Sequence, residues 1–435
     1  MRKKILILSD ATWNINNNVG NTFSNLFDNI KTYDYTMIYA KDTLPKNDVC
    51  HYYMQISEVQ LLKSLIYTRV PVTNILESNV FNNNRLERNL KQGQLLYGFF
   101  KRNRMLIFLL LREFLWFIKK KKIYRDIDFF LESSKPSILF FTPSQNVYMS
   151  KIHQHIYLKY KIPTVMYFMD DVFDISSKSL NPVKVIYQIK IRRELLRSVK
   201  MSKRIFTIID KQADVYKEKY NIDSKVLNKS FPISTKAFNQ IKNCVPVITY
   251  AGNLYAGRLK TLLSFCSMIS ILNKEQIKYI INIYSQDLLN AKTHQYISQM
   301  KGVFFKGSID KTEVDNVLNN SDFLLHVETF ESKYIRATSL SLSTKIVDYL
   351  YSGKPIIAIG DIGCASIEYL DKHQAAITIL SKKLNSHLFE KNLEDQELHD
   401  RICKNSLNLA MLNHNHSVNM SRLEKNLEDL LENEK

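Results

Sequence analysis

The stretch Ser339–Gly360, SLSLSTKIVDYLYSGKPIIAIG, carries the densest chemistry in the sequence. Ser343 has the character of a helix N-cap and Thr344 to Tyr351 that of a short helix, with Gly353 as its C-terminal cap and Pro355 as a stop. Unbonded N–H groups at the start of such a helix attract anions, and Lys345 adds a mobile positive charge there. Asp348 follows one turn later, near the same face. A cation at a helix start with a carboxylate close by suits a nucleoside diphosphate. Its phosphates would turn to the helix and its ribose hydroxyls to the acid. Because any capped surface helix can carry a Lys and an Asp, the pattern gains weight only in company.

A second element is Tyr250-Ala251-Gly252-Asn253-Leu254-Tyr255-Ala256-Gly257-Arg258-Leu259-Lys260. It reads as strand, glycine turn and helix, with Gly252 and Gly257 permitting close backbone approach and Arg258 opening the helix. This is a phosphate-binding arrangement without a P-loop or a GxGxxG fingerprint. A third element is PTVMYFMDDVFD at Pro163–Asp174, where Asp170 and Asp171 end a strand. Two carboxylates there can orient a substrate or act as a base. The plainer alternative has Asp170 capping the next helix and Asp171 pairing with a lysine. Asp126-Ile127-Asp128 has the DxD spacing of a cation site, but it falls on a predicted helix beside Phe129-Phe130 rather than at a strand end. His153 and His155, and likewise His414 and His416, lack a third ligand at metal spacing, and solvated or hydrogen-bonded histidines are expected. No metal site and no cofactor are expected.

The elements that would position these residues are short apolar runs alternating with helical patterns, the mark of parallel sheets with crossover helices. Strands are expected at Lys4–Leu8, Tyr35–Ala40, Ser137–Thr142, Thr164–Met169 and Arg204–Ile209. A second set is expected at Val247–Ala251, Lys278–Tyr284, Val303–Lys306, Phe323–His326 and Pro355–Ile359. The fold class is α/β, with two Rossmann-like doubly wound domains facing a central cleft. The expected division is residues 1–235, residues 236–400 and a helical tail, 401–435, crossing back to the first domain. Pro232, Ile233, Ser234 and Thr235 interrupt the pattern at the boundary.

The 435 residues suit two domains, and 45% hydrophobic residues exclude a disordered chain. Cys50, Cys244, Cys266, Cys364 and Cys403 are scattered, with no CxxC, which points to a reducing compartment. The run Ile5–Leu8 is too short for a signal peptide, and Met105–Ile118 is interrupted by Arg112 and Glu113. A cytoplasmic location follows. The net charge of +19 calls for an anionic partner or reflects a Lys-, Asn- and Ile-rich composition. In residues 98–130, the run Lys119-Lys120-Lys121-Lys122 makes an anionic membrane surface a candidate partner, at the inner face of the cytoplasmic membrane. Met105–Ile118 reads first as a crossover helix.

On these residues the chain resembles GT-B-fold glycosyltransferases similar to family 4, which build bacterial surface polysaccharides such as capsules. Gly252-Asn253-Leu254 and Arg258 match their glycine–Arg/Lys loop, with Asn253 where Arg is common and Arg258 where Lys is common. Glu328, then Ser343-Thr344-Lys345-Ile346-Val347-Asp348-Tyr349-Leu350 and Gly353-Lys354-Pro355, match their two-acid motif. Asp348 stands where Glu is usual, and Glu331 is the alternative first acid. The resemblance implies a nucleotide-sugar donor held by the second domain and a lipid-linked or polysaccharide acceptor met by the first. It also implies a retaining, metal-independent transfer in which Asp170 or Asp171 acts near the reaction centre. The rival readings are a sugar-nucleotide epimerase of similar fold and a basic nucleic-acid-binding protein, and no nucleic-acid motif favours the latter.

Overall fold

A computed structural model of the chain describes residues 2–15, 17–64, 70–77, 106–173, 181–230 and 243–432. They form two compact units, Met1–Leu227 with Met420–Lys435, and Asn228–Asn419.

The first unit is built on eight strands: β1 (Lys3–Ser9), β2 (Tyr33–Tyr39), β3 (Cys50–Ile56), β4 (Thr73–Glu77), β5 (Ile138–Thr142), β6 (Thr164–Phe168), β7 (Arg204–Thr207) and β8 (Lys225–Val226). They stand in the order β4-β3-β2-β1-β5-β6-β7-β8. All pairs are parallel except β3–β4, which is antiparallel. The central strands read ILFFT and TVMYF, buried at every position, as expected of parallel strands covered on both faces. Ile5, Ile7, Trp13, Phe27, Phe140 and Tyr167 lie in this core.

The second unit carries β9 (Val247–Ala251), β10 (Ile280–Tyr284), β11 (Val303–Gly307), β12 (Phe323–Val327), β13 (Ile356–Ile359) and β14 (Ile377–Ile379). Their order is β11-β10-β9-β12-β13-β14, parallel throughout. Strand order reverses at β1/β5 in one sheet and at β9/β12 in the other. Doubly wound sheets open a ligand crevice at such a point, outside the carboxyl ends of the strands.

Every expected strand is present to within two residues at either end, and four more are added: β3, β4, β8 and β14. The extra ones lack a continuous apolar run. β3 reads CHYYMQI, β4 is an antiparallel edge reading TNILE, and β8 and β14 span two and three residues. The expected boundary at residues 235/236 lies outside the described residues, and the compact units divide at Leu227/Asn228. The tail also divides differently from the expectation. Helix Gln396–Asn413 belongs to the second unit, where the Tyr351 hydroxyl donates to the carbonyls of Ala410 and His414. Only from Met420 does the chain rejoin the first unit, burying Met420, Leu423, Leu427 and Leu430 of helix His416–Glu432 in its core. Those four recur every three or four residues, one face of a helix.

Candidate functional site

In the second unit the β9/β12 crevice gathers most of the residues singled out above. β9 runs into Gly252, and the turn ends at Gly257, which has φ +80° and caps helix Arg258–Leu272. A Cβ at Gly257 would stand 2.3 Å from Thr329 Oγ1, so this position needs glycine for both its conformation and its space. From the neighbouring strand, Glu328 follows directly on β12 and is buried.

Arg258 spans the two. Its Nε and Nη2 donate to the two oxygens of Glu328 at 3.1 and 2.9 Å, and its Nη1 donates to Asn253 Oδ1 at 2.6 Å. The Tyr250 hydroxyl donates to the Asn253 carbonyl at 2.5 Å, which fixes the turn from inside. Burial alone would push the Glu328 carboxyl up, but His326 and the Arg258 guanidinium hold it below the usual carboxylate range. Burial lowers the pKa of His326, whose Nε2 lies 3.5 Å from Glu328 Oε1 and has no hydrogen-bond partner among the described residues. Arg258 is fixed in place before any ligand arrives, with its charge held by a bidentate carboxylate.

Lys345 completes the cluster in a way the sequence did not suggest. It was expected as a mobile charge at a helix start. Instead it is partly buried, with its ammonium over the Tyr250 ring, 5.1 Å from the centroid. A Cβ built on Gly252 would lie only 1.6 Å from Lys345 Nζ, so the ammonium rests against the bare glycine backbone. Among the described residues Lys345 has no hydrogen bond and no carboxylate within 4 Å. Burial, then the nearby Arg258 charge, pull its pKa down to about 8. Glu328, Asp348 and Asp287 oppose that shift from a distance. A desolvated cation beside a second cation can draw in an anion.

The helix bearing Lys345 also departs from expectation. It spans Lys345–Tyr351, seven residues, with Gly353 following in the left-handed region at φ +69°. Thr344 already has helical backbone angles, so the cap position falls on it rather than on Ser343, and no side chain caps the first turn. The Ser343 carbonyl accepts from Ile346 N–H, and the Ser343 N–H donates to Ser366 Oγ at 3.0 Å. A helix this short contributes little field, so the positive charge at its start is mainly the lysine's. Asp348 is partly buried on the same helix. The buried Lys229, which the sequence pattern did not flag, places its ammonium 3.5 Å from the Thr344 carbonyl.

Glu331 lies elsewhere. Its oxygens stand 3.8 Å from Lys260 and 3.3 Å from Lys333, on the wall of a 550 Å³ groove that also includes Tyr255, Tyr296 and Tyr334. Glu328 is thus the acid beside Arg258.

In the first unit Asp170 and Asp171 follow β6 with different surroundings. Asp171 Oδ1 accepts from Phe173 N–H and from the Tyr216 hydroxyl, both at 3.1 Å, closing a local turn. Asp170 is exposed, and its carbonyl accepts from Gln212. Asp126 and Asp128 lie on helix Leu106–Ser134, where Asp126 accepts from Thr73 and Asp128 pairs with His155 and Lys159. His153 is buried against Phe141, and burial lowers its pKa to about 3. His414 is buried too, bonded to the Lys229 carbonyl and the Tyr369 hydroxyl. His416 bonds Ser230. Among the described residues no three His, Cys, Asp or Glu side chains converge as metal ligands would.

No family model matches the sequence, and no curated protein sequence matches it. Solved structures do. Sucrose-phosphate synthase from Thermosynechococcus elongatus aligns with TM-score 0.59 and 9% identity over 99% of both chains. HepE from Anabaena, solved in complex with UDP, aligns with TM-score 0.58 and 9% identity over 99% of this chain and 100% of its own. A putative UDP-N-acetylglucosamine 2-epimerase from Listeria monocytogenes aligns with TM-score 0.55 and 9% identity, over 99% of this chain and 97% of that one. The chain has the GT-B fold. At such identities the likeness is one of architecture, and the chemistry must be argued from the crevice itself.

Proposed function

We propose that this protein is a glycosyltransferase that takes a sugar from a nucleotide-sugar donor bound at the β9/β12 crevice. The observation that carries the reading is Lys345, a desolvated ammonium without a carboxylate partner, beside Arg258 at the switch point of a doubly wound sheet. Expulsion of a nucleoside diphosphate places growing negative charge on phosphate oxygens, and preorganised cations stabilise that charge without having to reorganise. Arg258 and Lys345 take the diphosphate, Gly252 and Asn253 let it approach the backbone, and Asp348 takes the ribose. Thr344 and Ser343 line the same helix start.

Sucrose-phosphate synthase is a synthase of the same fold, and HepE was solved with UDP, which supports this choice of ligand class. The finer reading follows the family resemblance: a retaining, metal-independent transfer to a lipid-linked or polysaccharide acceptor in surface polysaccharide assembly, with Asp170 positioning or deprotonating the acceptor. A screen of UDP-, GDP-, ADP- and CMP-sugars by thermal shift tests the donor site, since a native-state ligand raises the melting temperature by mass action. No shift with any of them removes the proposal. Transfer that stops on chelation and returns with Mn²⁺ would refute metal independence. The epimerase-like neighbour supplies a second reading that uses the same diphosphate contacts. Donor incubated without acceptor separates the two, because only an epimerase converts it.

A further inference from the structure

Two helices of the first unit leave large apolar side chains in solvent at the same end. On helix Leu106–Ser134 these are Leu110, Phe114, Phe117 and Ile118, with Phe117 74% exposed. On helix Pro182–Lys200 they are Val185, Ile186 and Ile189, with Ile186 66% exposed. Each set recurs at steps of three or four residues, so each is a stripe along one helix face.

The two stripes are neighbours. The Tyr187 hydroxyl donates to the Glu113 carboxylate at 3.1 Å, and Arg112 Nη2 reaches the Tyr187 oxygen at 3.4 Å. Farther along, both helices lean on helix Val147–Tyr160. The Tyr124 hydroxyl donates to the Lys151 carbonyl, and the Lys151 ammonium pairs with Glu194 at 2.8 Å. The helices therefore run in the same sense, with residues 110–118 beside residues 185–189.

Beyond the apolar ends the exposed positions become basic. Lys120, Lys121 and Lys122 continue the first stripe, and Lys190, Arg193 and Arg197 the second. Within residues 110–125 and 182–200 few acids offset them. Glu113 is the one acid within 110–125 and is held against Arg112 and Tyr187. Glu194 is the one acid within 182–200 and is buried, bonded to Lys151, Arg193 and Arg197.

We propose that this paired-helix face docks the protein on an anionic phospholipid bilayer, with the aromatic and aliphatic side chains entering the headgroup–acyl boundary and the lysines and arginines meeting lipid phosphates. Charge complementarity selects this occupant. A second copy of the same face would bring like charges together, and a nucleic acid would leave the exposed Phe and Ile without a partner. Among the described residues no helix is long and apolar enough to cross a membrane, so the contact is interfacial. The inference deepens the lipid-linked acceptor reading above, but its test needs neither donor nor acceptor, so either can fail alone.

The test is flotation of the full chain with vesicles of phosphatidylcholine containing about one third phosphatidylglycerol, against phosphatidylcholine alone. Binding is expected only to the anionic vesicles, weakening as salt rises and surface charge is screened. The variant Lys120→Gln/Lys121→Gln/Lys122→Gln should partition about a hundredfold less, at roughly fivefold per lysine. The variant Phe117→Ser/Ile186→Ser should lose at least about tenfold even at low salt, because the apolar insertion is gone. All these side chains are exposed, so both variants should melt with the wild type. Failure of the wild type to bind anionic vesicles at low salt overturns the proposal, as does wild-type binding by both variants. A wild-type dimer in solution that Phe117→Ser disperses would overturn it too, by assigning the face to a second copy of the chain.

Discussion

Gly252→Ala tests the proposed donor crevice through a single methyl group. Gly252 lies outside the left-handed backbone region, so alanine brings no conformational strain there. The added Cβ would stand 1.6 Å from Lys345 Nζ, 3.0 Å from its Cε and 3.2 Å from Tyr250 Oη. Ordinary contact lies near 3.5 Å, so the ammonium must retreat by about 2 Å, off the glycine. A flexible lysine end retreats easily, and the melting temperature should fall by no more than a degree or two. Binding should suffer more. A charge-assisted contact to a diphosphate contributes roughly 1.5–3 kcal/mol, so UDP or GDP should bind about ten- to a hundredfold more weakly, while the bare nucleoside is unaffected. Isothermal titration of wild type, Gly252→Ala, Lys345→Met and the double variant closes a mutant cycle. If the methyl acts through the lysine, the double variant binds as Lys345→Met does. Additive losses, or unchanged affinity in Gly252→Ala, refute the reasoning.

The Lys345 pKa of about 8 sets a pH signature. Above pH 8 the ammonium is lost, so diphosphate affinity should fall between pH 7 and 9 in the wild type and stay flat in Lys345→Met. Between pH 8 and 10.5 the unfolded chain holds a proton at this lysine that the folded chain has released, so the lysine's contribution to ligand-free stability improves with rising pH across that window. Glu328→Gln leaves the partly buried Arg258 without its carboxylate and should cost roughly 1.5–3 kcal/mol at neutral pH. The Glu328 pKa is depressed, so the stabilisation is present above pH 4.5 and fades as the carboxylate protonates below it; urea melts of both proteins read the narrowing gap. Asp170→Asn should lower turnover at an unchanged melting temperature, whereas Asp171→Asn should lower the melting temperature by loosening the turn that holds Phe173 and Tyr216. Equal turnover in both variants and the wild type would leave the pair purely structural.

Much of the architecture was legible because its determinants are local. Buried parallel strands such as Ile356–Ile359 read as unbroken apolar runs, and Gly257 and Arg258 mark a turn entering a helix. Gly353 and Pro355 likewise punctuate the end of the Lys345–Tyr351 helix. β3, with His51 and Gln55 in its sequence, escaped notice because its pairing with β2 and β4, rather than its composition, makes it a strand. The site divides along the same line. Residue types at Gly252, Arg258, Lys345 and Asp348 suggested the proposed anion site, since each carries its own charge or conformational freedom wherever the chain places it. What those charges do to one another depends on crossovers that bring residues 70 or more positions apart into contact. Glu328 clamps Arg258, His326 is buried beside the same carboxylate, and Lys345 comes to rest on a glycine far away in sequence. Burial then lowers the lysine pKa, while His326 and Arg258 keep the Glu328 carboxylate charged against its own desolvation, a balance that exists only once the core has closed.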